Sequence, residues 1–174
     1  MLALALSPAA LRGQPAAVAP ERDVKAAYLF KFLGYVEWRA AAFRAPRQPI
    51  VVGVMDADDI AGDLSDLASG RSVNDRPVQV RRLRISEPLA GLHVLFVGAA
   101  DHGHVPELVN EAQVLGILTV TETDDGLAQG SVINLVMVDG RVRFEVALDA
   151  AERAGIKLSS RLLSVAHLVR MGTN

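Results

Sequence analysis

The stretch Val132-Ile-Asn-Leu-Val-Met-Val138, Asp139-Gly140, Arg141-Val-Arg-Phe-Glu-Val-Ala-Leu148 decides the fold. Asp-Gly between two apolar-rich runs is the strongest short-range hairpin signal, because its two turn positions both need positive φ. The second run alternates around Phe144, so Arg143 and Glu145 share the opposite face. If that face is covered, both charges need partners. If it is open, they are available to another protein.

Upstream of the hairpin the pattern changes. Pro49 to Met55, His93 to Val97 and Ile117 to Val120 are short continuous apolar runs, the signature of strands buried on both faces. Between them lie helical segments. One opens at Asp56-Ala-Asp-Asp59, runs to about Ala68 and stops at Gly70. Another runs from Val105 to Gln113, with Pro106 in its first turn and Gly116 at its end. Arg76 to Leu83 alternates like a half-buried strand. Strands joined through helices indicate an α/β fold: a mixed, largely parallel sheet covered by helices, with an antiparallel hairpin (about 132–148) at one side. Downstream, Asp149 to Ala154 reads as a short helix closed by Gly155. Ser159 or Ser160 then caps a last helix containing Leu162, Leu163, Val165, Ala166 and Val169.

Glu21 to Trp38 reads as a long helix. Leu29, Phe32, Leu33 and Val36 follow the i, i+3, i+4, i+7 rule. Ala26, Ala27, Tyr28, Phe30 and Tyr35 spread apolar surface around most of the rest. Such a helix is buried on nearly all sides, sandwiched within the domain or covered by a second chain. Tyr28, Phe32 and Tyr35 form a stripe, with Trp38 one turn on. The stripe is core or, in part, a partner surface, where aromatics are enriched.

The 174 residues carry 18 Lys+Arg against 20 Asp+Glu, a net charge of −2, and no cysteine. The balance gives no whole-molecule attraction to nucleic acid or anionic lipid. The missing cysteines exclude disulfides, thiolate metal sites and cysteine nucleophiles. Residues 1–20 are a different material, with no acid, no aromatic and one Arg. Ala17-Val18-Ala19 fits a signal-peptidase site, so 1–20 is expected to be the remnant of an export signal or a disordered leader, and 21–174 a single domain.

Motifs for chemistry are sparse. His102 and His104, between Asp101 and Glu107, form a His-x-His cluster that is a weak metal candidate; solvated loop histidines are the plainer reading. His93 and His167 sit among apolar residues and read as structural. The carboxylates Asp56, Asp58, Asp59, Asp63 and Asp66 read as a helix cap and a solvated face. Arg81, Arg82 and Arg84 lack the aromatic partners of a nucleic-acid site. There is no G-x-G-x-x-G, no Walker pattern and no G-x-S-x-G elbow. No catalytic residue and no cofactor is expected.

Two segments carry a family resemblance. One is Ala27-Tyr-Leu-Phe-Lys-Phe-Leu-Gly-Tyr-Val-Glu-Trp38. The other runs from Ile117-Leu-Thr-Val120 through Gly130, Val132-Ile-Asn-Leu135 and Val142-Arg-Phe-Glu145 to Ala150-Ala151, Ala154-Gly-Ile156 and Ser159-Ser160-x-Leu162-Leu163. In order and spacing they resemble the YfiR-like family of small exported bacterial proteins, over about residues 24 to 168. The resemblance implies a periplasmic α/β domain that often dimerises and represses an inner-membrane diguanylate cyclase by contact. It further implies an outer-membrane lipoprotein as a sequestering partner. The chain departs from the family in lacking paired cysteines, in Arg39 after Glu-Trp, and in Gly130-Ser131 where Gly-Gly is common. Redox control therefore does not carry over.

These readings together make the chain a periplasmic, non-catalytic binding protein. Tyr35, Trp38, Arg143 and Glu145 are the candidate partner- or ligand-binding residues. The alternatives are a periplasmic small-ligand sensor with Trp38 stacking on the ligand, or a metal-dependent hydrolase built on His102, His104 and nearby acids.

Overall fold

A computed structural model describes residues 19–99 and 103–172. Ten strands and five helices follow in the order α1 (Glu21–Leu33), β1 (Val36–Glu37), β2 (Ile50–Met55), α2 (Asp58–Ala68), β3 (Ser72–Val73), β4 (Arg76–Leu83), β5 (Val94–Val97), α3 (Val105–Leu115), β6 (Leu118–Thr121), β7 (Ile133–Val138), β8 (Arg141–Ala147), α4 (Leu148–Ala154), β9 (Lys157–Leu158), α5 (Ser160–Val165) and β10 (Leu168–Arg170). A single 3-10 turn spans Ala40–Ala42. Eight strands form one sheet in the order β10-β8-β7-β6-β5-β2-β4-β3. β4, β2, β5, β6 and β7 are mutually parallel, and β8 returns antiparallel beside β7. The α/β class, the largely parallel sheet and the hairpin at one side agree with the sequence reading.

The two-residue period of the strands divides the core. Val52, Val54, Phe96, Leu118, Val120, Ile133 and Phe144 point to one face, where α1 and α2 supply Leu29, Phe32, Leu33, Ile60 and Leu64. Met55, Leu95 and Val97 point to the other, against Val105, Leu108, Val109 and Ala112 of α3. Each central strand is thus buried twice over, which is why its run is continuously apolar. At the hairpin turn, Asp139 and Gly140 take φ of 49° and 69°. Both positive values match the type I′ geometry that Asp-Gly favours.

Two helices are shorter than the sequence pattern suggests. α1 ends at Leu33, with Gly34 as its C-cap. The chain then turns into β1, where Val36 and Glu37 pair antiparallel with Leu158 and Lys157 of β9. The Ser159 amide donates to the Tyr35 carbonyl at 2.9 Å. Tyr35 and Trp38 therefore leave the helical stripe. The hydrogen-bonding demand of a distant strand outweighs local helical spacing. The circumferential apolar surface of α1 is met within the domain: Ala26, Leu29, Phe32 and Leu33 are buried, while Tyr28 and Phe30 pack half-buried. The last helix also stops early, at Val165, after a start capped by the Ser159 hydroxyl. Leu168–Arg170 leave it to pair with Glu145–Ala147 of β8. That pairing satisfies backbone groups of an edge that a longer helix would leave open.

Candidate functional site

In open α/β sheets, ligands bind where the strand order reverses, beyond the carboxyl ends of the strands. Here that place lies between β2 and β5. The chain packs tightly at this point, while a groove of about 800 Å³ lies beside it at the carboxyl ends of β2 and β4, lined by Asp56, Asp58, Arg82, Arg84 and Glu87 among others. The Gly98 amide donates to the Met55 carbonyl at 2.9 Å. A Cβ on Gly98 would lie 2.4 Å from the Asp56 carbonyl oxygen, so only glycine allows this approach. Beside it, the Ala99 amide donates to Glu122 Oε1 at 3.1 Å. Lys25 reaches down from α1 to Glu122 Oε2 at 2.5 Å and Glu21 Oε1 at 2.6 Å. Burial alone would lower the Lys25 pKa, but the hydrogen bonds and charges of Glu122 and Glu21 outweigh it and hold the ammonium above its ordinary value. This ion pair ties α1 to the chain just beyond β6.

The neighbouring face is sealed by a buried polar network that the sequence reading assigned no role. Asn134, 1% exposed, takes the Thr121 hydroxyl at 2.8 Å and the Thr123 amide at 3.2 Å on its Oδ1. Its Nδ2 donates to the Thr123 carbonyl at 2.8 Å. These bonds fix the connection from β6 to β7 across the sheet. The signal was present: a lone amide in the middle of an apolar strand must find partners.

Trp38 sits at the opposite end, where the parallel strands begin. It is half-buried, and its Nε1 donates to the His93 carbonyl at 3.1 Å. Its ring meets Phe43 and His93 edge-on, with centroids 6.1 Å away in each case. Phe43 stacks on the His93 ring at 4.4 Å, and the Arg76 guanidinium lies 3.7 Å over the Phe43 centroid. His93 is 2% exposed. Its Nδ1 accepts from the Val51 amide at 3.1 Å, so its Nε2 carries the proton and donates to the Ala42 carbonyl at 3.1 Å. Burial, aided by the Arg76 charge, lowers the His93 pKa, and the Ala42 bond only partly opposes this. Tyr35, by contrast, is 36% exposed.

The β7–β8 ribbon is different. β6 pairs only with Ile133 and Asn134 of β7, so Leu135 to Val138 project beyond the parallel sheet with β8 beside them. One face of the projecting ribbon is covered by α1: Phe144 lies 5.5 Å from Tyr28 and 5.1 Å from Phe32, centroid to centroid. The opposite face carries Glu145, Arg143 and Arg141, paired across to Asn134, Val136 and Val138. Glu145 is half-buried at the base, next to the sealed network, and Arg143 and Arg141 are exposed further out. Between this face and the turn Val165–His167 runs a groove of about 610 Å³. His167, read from its neighbours as structural, is exposed and lines this groove. Its amide donates to the Phe144 carbonyl at 2.8 Å. Val165, Leu168, Val169 and Met171, at and around the edge strand β10, are exposed, as is Met137 near the hairpin turn.

Of the metal candidates, His102 and its neighbour Asp101 lie outside the described residues, and His104 precedes α3 as its N-cap residue. Among the described residues no three His, Asp or Glu side chains stand close enough to share an ion. No described helix is long and apolar enough to cross a membrane.

A family model described as YfiR/HmsC-like matches residues 22–167. No curated protein matches the chain. The solved structures that share the fold include these two. A conserved domain protein from Vibrio cholerae aligns with a TM-score of 0.56 at 10% identity, covering 86% of this chain and 60% of that one. An ABC domain from Streptococcus pneumoniae, solved in complex with L-Trp, aligns with a TM-score of 0.51 at 10% identity, covering 69% of this chain and 55% of that one. The chain spans little more than half the length of each, and at this identity the likeness concerns the fold alone.

Proposed function

Since the chain belongs to the YfiR/HmsC-like family, we propose that it is a periplasmic regulatory module that restrains a membrane-bound diguanylate cyclase by direct contact, without catalysis. The observation that carries the reading is the open face of the β7–β8 ribbon, held rigid from behind by α1 and set beside a groove. A stoichiometric regulator needs such a pre-organised surface, because ordering a loose one on binding costs affinity. Arg143 and Glu145 are the contacts on that face. Tyr35 is a second contact at the exit of α1. Trp38 acts from inside, by fixing the segment that follows it. An outer-membrane lipoprotein as competing partner and a homodimeric state belong to the same proposal.

The test is genetic and direct. Deleting the gene should raise cellular cyclic di-GMP, and the wild-type copy should restore it. Arg143→Glu should accumulate to wild-type level in the periplasm and fail to restore it. Full restoration by Arg143→Glu and Glu145→Lys together would remove the ribbon face from the proposal. An unchanged cyclic di-GMP level on deletion would remove the cyclase.

A further inference from the structure

The open face of the ribbon carries charge with a definite repeat. Arg141 and Arg143 stand two residues apart on one strand, so their side chains leave the same face at the roughly 7 Å two-residue repeat of extended chain. Neither is neutralised by an acid of its own chain among the described residues. Beside them, Val136 and Val138 form a half-buried apolar strip, each directly across from an arginine. The far wall of the groove is Val165 to His167, and its one acid is Asp139 in the turn. The chain as a whole is slightly acidic, so this attraction is local to the groove.

We propose that the groove receives an acidic segment of the partner protein, with carboxylates meeting Arg141 and Arg143 and apolar side chains lying on Val138 and Val165. This rests on the contact-regulator reading above and adds the chemistry of the surface recognised. Guanidinium groups take carboxylates through paired hydrogen bonds, and arginine is enriched where proteins meet. An anionic bilayer fits less well. The cations lie along a groove, and a ribbon meeting the membrane tip first would bring Asp139 to the headgroups.

Fluorescence anisotropy of the full chain with a fluorescein-labelled Glu-Val-Glu-Val-Glu-Val peptide tests this, with a Lys-Val-Lys-Val-Lys-Val peptide and phosphatidylglycerol vesicles as comparisons. Saturable binding of the acidic peptide is expected, weakened at least tenfold by Arg141→Glu with Arg143→Glu, and weakened also by 0.5 M salt through screening. The milder Arg141→Gln with Arg143→Gln should fall between, and thermal melts of both variants establish that they fold. Absent binding of the acidic peptide, equal affinity in the folded variants, or vesicle binding lost in the variants would overturn the proposal. Peptide binding that depends on both arginines, with Arg143→Glu still restraining cyclic di-GMP in cells, would keep the groove and remove the cyclase as its partner.

Discussion

The parallel half of the sheet and its antiparallel ribbon solve opposite problems with the same strand period. In β2, β5 and β6 both faces are spent inside the molecule. Leu95 and Val97 serve α3, Phe96 and Val120 serve α1 and α2, and the switch point between β2 and β5 is packed tight at Gly98, beside the Lys25–Glu122 pair. In the projecting part of β7 and β8 one face is spent, and on the other, among the described residues, Arg141 and Arg143 stand in solvent without an ion-pair partner. The parallel half is the packed scaffold, and the projecting ribbon keeps Arg141 and Arg143 exposed.

The comparison can be broken at its strongest joint. Phe144→Ala removes the ring that binds the ribbon to Tyr28 and Phe32, and should cost about 3–5 kcal/mol in urea unfolding, with cavity and lost transfer energy combined. A cost below about 1 kcal/mol would mean that α1 does not stiffen the ribbon. Trp38→Ala should cost on the order of 2 kcal/mol, as a half-buried aromatic. An unchanged melt with lost partner binding would instead make Trp38 a contact residue. Gly98→Ala drives a methyl onto the Asp56 carbonyl and should cost about 1–3 kcal/mol as overpacking. A neutral result in thermal melts would mean that the Gly98–Asp56 contact relaxes at little cost.

A graded effect follows from His93. Its folded pKa lies below the ordinary 6.5, so between the folded value and 6.5 the unfolded chain binds more protons than the native one. Stability therefore rises with pH across that window, is fully present above 6.5, and is lost as pH falls toward the folded value. Urea midpoints across this range should show the slope, and His93→Gln should flatten it. An identical slope in the variant would assign the effect elsewhere. Arg143→Glu sharpens the comparison from the other side: its melt should match the wild type within about 0.5 kcal/mol, as for most exposed positions.

The hairpin was legible because every signal for it is local: Asp139-Gly140 sets the turn and Phe144 sets the face. The buried strands were legible for the same reason. The exit of α1 was not, since Tyr35 and Trp38 keep helical spacing from Phe32 while their fate is decided by β9, far along the chain. Val169 likewise looked helical until the open edge of β8 claimed it. At the site, alternation put Arg143 and Glu145 on one face. Whether that face was covered depended on where β6 stops pairing, which no residue near Arg143 encodes.

The clasp between β1 and β9 has a consequence in time. Synthesis delivers the chain amino end first, and its earliest apolar helix finds β8 and the clasp only when the last quarter has arrived. Contacts of such sequence separation pay their loop-closure cost before any return. Leu29 and Phe32 can meet α2 early, but the Phe144 side of α1 stays uncovered until β8 has arrived, and the clasp stays open until Leu158 has. Release truncated ahead of β9 should be cleared by proteases or held by a chaperone, and maturation should be all-or-none in chain length.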